Sequence, residues 1–124
     1  MTTYGKELLL DMHKCNKDLM TEEIITEYFK TICNLIQMEP VGKPIFWNAE
    51  GIDPEEYENS PHLQGVSALQ WIKTSSIVVH AITGLGQVYV NIFSCKNFDC
   101  NLAEGYTIGF FEGIKASCLV TDRM

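Results

Sequence analysis

The chain has 124 residues, 46% of them hydrophobic, with 16 Asp and Glu against 9 Lys and Arg, a formal charge of −7. A chain of this length buries more than half of its unfolded surface in one core, so residues 1–124 are read as a single domain. The acidic balance, with no local cluster of Lys or Arg, argues against nucleic acid as a partner, and no apolar run approaches the roughly 18 residues of a membrane span.

The opening MTTYGKELLLDMHK has only a short apolar patch, stopped at once by Asp11, which is neither the apolar region nor the cleavage site of a secretory signal. A soluble, cytoplasmic protein is expected, and residues 4–12 read as a first strand. From Thr21 the pattern changes. Ile24, Ile25, Tyr28, Phe29, Ile32, Leu35 and Ile36 recur at three and four, the stripe of an amphipathic helix. Thr21 suits the N-cap, Glu22 and Glu23 suit the positive end of the helix dipole, and Pro40 is expected to stop the helix.

Ile45 to Trp47 reads as a short strand. The segment NAEGIDPEEYENSPH that follows is rich in Glu, Asp, Pro, Gly and Asn and reads as an acidic surface loop over residues 48–62. GVSALQWI returns to β character, and KTSSIVVHAITGLGQVYVNIFSC supplies two more strands around a Gly-containing turn. Asp99 or Asn101 can cap a last helix carrying Leu102, Tyr106 and Phe110. Gly105 and Gly109 each weaken that helix by about 1 kcal/mol relative to Ala, so the expectation is a helix face pressed against the sheet. Gly113 suits its C-terminal end, and KASCLVTD closes the chain as a strand. This order predicts an α+β two-layer sandwich, a mainly antiparallel sheet with two helices on one face.

Cys15, Cys33, Cys95, Cys100 and Cys118 are odd in number and lack a CxxC spacing, which argues against a disulfide framework and a zinc ribbon, and no metal is expected. The polar residues of the hairpin are more informative. With Leu85 as the centre of the turn, Ser75 faces Cys95 across the strands, their Cβ atoms about 5 Å apart. His80, five residues from Ser75, lies roughly 16 Å along the strand and on the other face. One straight hairpin cannot unite all three, so either the strand bends or His80 serves the site of a second chain. Against chemistry stand ordinary structural roles: a hydrogen-bonded histidine, a cysteine acting as a small hydrophobe, serines satisfying backbone groups.

The spacing of these residues resembles that of the short prokaryotic S-adenosylmethionine decarboxylases, whose proenzymes cut themselves before a serine and convert it to a pyruvoyl group. In that family a Ser is followed five residues later by His, as Ser75 by His80; a Cys ends a V-D-[VL]-F-T-C-like strand fifteen residues further on, as Cys95 ends VYVNIFSC; and a Ser within a G-V-S-like run precedes the first by eight, as Ser67 does in GVSAL. YGKELLLDMHKC also resembles the family's opening strand.

The resemblance implies a homo-oligomer with sites at the subunit interface, Ser75 and Cys95 coming from one chain and His80 and Ser67 from another. It implies a pyruvoyl group derived from Ser75 as electron sink for loss of CO₂, Cys95 returning a proton, Ser67 and His80 acting in self-cleavage between Thr74 and Ser75, and Ile77 forming an apolar wall. The chain departs from the family pattern at Thr74 and Ser76, which replace Glu and His around the processed Ser. It departs again at Ala81, Ile82, Thr83 and Gly84, where T-W-P-E is usual and its Glu helps hold the substrate ribose. The family's adenine-stacking Phe falls at Pro61, with Phe46, Trp47 or Tyr57 as substitutes.

Three functions follow, in order: a pyruvoyl-dependent decarboxylase of S-adenosylmethionine or a related amino acid, serving polyamine synthesis; an unprocessed lyase that splits S-adenosylmethionine or a nucleotide conjugate of it into a methylthioadenosine product and homoserine lactone; and a non-enzymatic ligand-binding relative. For the lyase, a carboxylate such as Glu104 is a candidate to favour the sulfonium, although solvated helix charges are the commoner case.

Overall fold

The period-two runs of the sequence become one six-stranded sheet in a computed structural model that describes residues 2–124. The strands are β1 (Gly5–His13), β2 (Ile45–Trp47), β3 (Val66–Ile72), β4 (Ser75–Ile82), β5 (Gln87–Ser94) and β6 (Ile114–Arg123). They lie in the order β2-β3-β4-β5-β1-β6, and every neighbouring pair is antiparallel. The helices α1 (Glu22–Leu35) and α3 (Cys100–Phe111) cover one face, which is the expected α+β two-layer sandwich.

Alternation decides which residues meet the helices. Leu8, Leu10 and Met12 of β1, Ile77, Val79 and Ala81 of β4, and Val88, Val90 and Ile92 of β5 are buried on the helix side. They pack against Ile25, Phe29 and Ile32 of α1 and Ala103 and Phe111 of α3, each large aliphatic side chain contributing about 1.5–3 kcal/mol. Tyr28 sits where the two helices cross, between the rings of Tyr106, Phe110 and Phe111. Its hydroxyl is paired with Thr107 Oγ1 at 2.7 Å, which satisfies the two polar groups of an otherwise apolar seam.

Both long helices start where their caps predict. Thr21 Oγ1 accepts the Ile24 amide at 3.2 Å, and Asp99 Oδ1 accepts that of Leu102 at 3.0 Å. The α1 helix ends at Leu35, well before Pro40, because Gln37 turns left-handed (φ 60°) and the Met38 amide returns to Cys33 O. Gly105 and Gly109 do not press on the sheet. Both are exposed, and a Cβ added at either would meet nothing within 4 Å.

The acidic segment is more ordered than its composition suggests. It contains a third, short helix, α2 (Pro54–Asn59), capped by Asp53 with Pro54 in its first turn, and single 3-10 turns on either side. Its Pro61 backbone lies on Gly84 in the β4–β5 turn, where a Cβ at Gly84 would stand 2.2 Å from Pro61 O.

The β4–β5 hairpin differs from expectation by one residue. Its loop is Thr83 to Gly86, closed by Ile82 opposite Gln87, with Gly86 in the left-handed region (φ 66°). An even loop places the centre between Gly84 and Leu85, so Ser76 faces Phe93 and the residue in line with Ser75 is Ser94, not Cys95.

Candidate active site

Ser75 opens β4 on the helix side of the sheet and is 3% exposed. By register it should not meet Cys95. Cys95, however, lies one residue beyond the end of β5, where strict alternation no longer binds the side chain. The chain bends back there, and the Cys95 amide donates to Ser75 Oγ at 3.0 Å. Hydrogen bonding by the Thr74 hydroxyl, and next by that of Ser75, holds the Cys95 thiol below the usual cysteine range. Alcohol and thiol therefore share a site, by a different route from the direct pairing the sequence suggested.

Both residues line a cavity of about 370 Å³ completed by Gln37, Met38, Glu39, Ile72, Lys73, Ser94 and Lys96. Lys96 Nζ donates to Gln37 O at 2.8 Å and ties the end of α1 to the end of the hairpin. The left-handed Gln37 is what turns residues 37–39 toward this cavity. Nothing in the sequence pattern marked residues 37–39 or Lys96 as site residues, since their contribution comes from a helix end meeting a strand end.

The peptide joining Thr74 to Ser75 is strained. Thr74 is β-branched and adopts φ 50°, a left-handed conformation that costs such a residue of order 1–3 kcal/mol. The β3–β4 turn of Lys73 and Thr74 leaves no glycine to take that conformation.

Ser67 and His80 form a second pair. They face one another across β3 and β4, with Ser67 Oγ and His80 Nδ1 2.7 Å apart. His80 is exposed on the side of the sheet away from the helices, as its distance from Ser75 in sequence predicted. Trp47, 52% exposed, lies beside Ser67 on the same surface. One chain thus carries two separate pairs, at opposite ends of β4 and on opposite faces.

The expected wall residue Ile77 and the carboxylate Glu104, for which a surface role was the commoner case, both lie elsewhere. Ile77 is fully buried among the core residues and lines neither the Cys95 cavity nor the surface around His80, because its odd position in β4 turns it under the helices. Glu104 is paired with Lys115 Nζ at 2.9 Å, between α3 and β6. Of the stacking candidates, Phe46 is half-buried opposite Ala68 and Tyr57 is half-buried on α2. All five cysteines are free, Cys15 and Cys33 buried, and burial pushes the Cys33 thiol up to about 11. Among the described residues no group of three or more His, Cys, Asp or Glu is arranged to hold a metal, and no helix is long and apolar enough to cross a membrane.

The family model for S-adenosylmethionine decarboxylase matches residues 6–124. The chain belongs to that family. Its fold is similar to the crystal structure of the adenosylmethionine decarboxylase from Aquifex aeolicus, with a TM-score of 0.76 over 99% of this chain and 92% of that one, at 17% sequence identity. The chain is also 30% identical over 74 residues, 59% of its length and 73% of the other's, to olivetolic acid cyclase of Cannabis sativa. Membership in the S-adenosylmethionine decarboxylase family agrees with the spacing of Ser67, Ser75, His80 and Cys95.

Proposed function

We propose that this chain is a lyase that removes carbon dioxide from S-adenosylmethionine or a closely related amino acid, using a pyruvoyl group generated from Ser75. The observation that carries this reading is a nucleophile placed next to strained backbone. The carbonyl that the Ser75 hydroxyl would attack belongs to Thr74, at φ 50°. The surroundings fit this step: the Cys95 amide donates to Ser75 Oγ at 3.0 Å and fixes the attacking hydroxyl, and the adjoining cavity of about 370 Å³ offers room for an amine substrate. Once formed, the group supplies the electron sink for loss of CO₂.

The chain's own residues do the remaining work. Cys95 lines the same cavity, and its role in this reading is to return a proton to the reacting carbon. Lys73, Lys96 and Glu39 all line the cavity, a mixed set suited to a substrate bearing both a carboxylate and cationic groups. Ser67 and His80 reach Thr74–Ser75 only from a second copy of the chain. Intact mass spectrometry of freshly purified protein tests the reading: two fragments, divided between Thr74 and Ser75, are expected. A single species of unaltered mass would remove this cofactor and this reaction together.

A second reading is favoured by the separation of the two pairs. Within one subunit Ser67 and His80 are bound to each other on the far face of the sheet, and Gly84 stands where the family carries its ribose-binding Glu. An unprocessed chain on this scaffold can act as a lyase in which the substrate's own carboxylate attacks the carbon next to the sulfonium. The new C–O bond closes homoserine lactone as the C–S bond breaks, and the pair of electrons leaves on the thioether. The likeness to a protein named for a cyclisation is in keeping with this, since lactone formation is a ring closure. Product analysis separates the two readings: CO₂ marks the decarboxylase, and methylthioadenosine with homoserine lactone marks the lyase.

A further inference from the structure

A second cavity, of about 390 Å³, lies between α1 and the β2–β3 edge of the sheet. It is separate from the Ser75–Cys95 cavity, because the segment after α1 divides them: Gln37, Met38 and Glu39 line the first and Pro40, Gly42, Lys43 and Pro44 the second, with a bridge from Pro40 to Ile72 between. We propose that this second cavity is a ligand site for an organic anion built on a planar ring that carries an N–H or O–H donor.

Three observations support it. The wall is preformed: the Val41 amide donates to Trp71 O at 2.7 Å, Pro40 and Pro44 restrict the loop, and Gly42 takes the left-handed turn at φ 71°. Beneath the wall is Gln70, 2% exposed, whose Nε2 donates to Val41 O, Gly42 O and Trp71 O at 3.4, 3.2 and 3.0 Å. Its Oε1 accepts no hydrogen bond from the described residues. Since no fully buried side-chain oxygen or nitrogen among them lacks a partner, that oxygen is the part of Gln70 that reaches the cavity it lines. It is a fixed acceptor in a surround dominated by Phe46, Pro40 and Pro44, which suits a flat ring with one donor.

Charge supplies the third observation. The chain has 16 acidic against 9 basic residues, yet this cavity is lined by Lys30 and Lys43 and by no carboxylate. Lys30 meets Glu27 at 3.4 Å, but both side chains are about two-thirds exposed, and such a pair is readily given up. The ring enters over Phe46 toward Gln70, and the anionic group stays at the rim between the two lysines. This site is independent of the chemistry assigned to Ser75 and Cys95.

Isothermal titration of the full chain with adenosine 5′-monophosphate, indole-3-acetate and inorganic phosphate tests the proposal, the first two distinguishing a phosphate from a carboxylate as the anion. At least one ring-bearing anion should bind, adenosine should bind more weakly than its monophosphate, and phosphate alone should not be retained. Lys43→Gln and Lys30→Gln, both exposed positions, should each lower affinity about 5-fold, an effect that shrinks with added salt. Cys95→Ser should leave binding unchanged. Absence of binding by both ring-bearing anions, or binding lost with Cys95→Ser and unmoved by the two lysine substitutions, would overturn it.

Discussion

The Cys95 thiol differs from the other four in a way that chemistry can read. Its pKa is lowered by hydroxyl contacts from Thr74 and Ser75, whereas burial raises those of Cys15, Cys33, Cys100 and Cys118. A depressed pKa means that more thiolate exists at a given pH, and thiolate is the species that alkylates. Iodoacetamide at neutral pH should therefore modify one cysteine first, identified as Cys95 by peptide mapping, with a rate that rises with pH and levels off earlier than that of a free thiol. Relative to chain that still carries Ser75 as a serine, Ser75→Ala removes one of the hydroxyls and should shift that profile to higher pH. A profile unchanged in Ser75→Ala would detach the thiol from its neighbour. That Ser75 and Cys95 come together was legible in the sequence, but the geometry by which they do so was not. The expected cross-strand pairing fails by one residue, and the two groups meet only because Cys95 is past the end of β5, a bend that strand alternation cannot register.

Elements were read from the sequence most reliably where a periodic stripe and a cap agreed, as with Thr21 and α1; in α3 the helix was found, but its buried face is Ala103, Thr107 and Phe111, one residue on from the expected Leu102, Tyr106 and Phe110. They were read least well where a local conformation overrode the pattern: Gln37 ends α1 before Pro40 is reached, and Asp53 with Pro54 makes a helix inside an acidic run. The buried Tyr28–Thr107 contact was invisible, since it joins residues 79 apart. It should nevertheless govern how α1 seats on α3. Thr107→Val leaves a fully buried phenol without a partner and should cost about 1–3 kcal/mol in urea unfolding. Tyr28→Phe combined with Thr107→Val removes both polar groups and should be less destabilised than Thr107→Val alone. Equal or greater loss in the double variant would show that shape, not hydrogen bonding, sets the seam.

At the scale of the whole molecule the sheet has one covered face and one open one. Across the open face the register aligns Ile45, Leu69, Val78, Asn91, Leu9 and Leu119 in one row, and Trp47, Ser67, His80, Tyr89, Asp11 and Ser117 in the next. Ile45, Trp47, Trp71 and Leu119 are each more than half exposed, large apolar side chains left facing water on this side of the sheet. A second copy of the chain packed on this face would cover those rows and enclose the Ser67–His80 pair in an interface. Val78, half-buried at the middle of the first row, is the position to test. Val78→Lys places a charge there without entering the helix-side core, so circular dichroism should be preserved while light scattering on a sizing column moves from an oligomer to a monomer. If processing depends on the partner's histidine, the same variant should also remain a single uncleaved species by intact mass. Wild-type protein that is monomeric at tens of micromolar, or a Val78→Lys monomer that still cleaves itself, would separate the open face from the reaction.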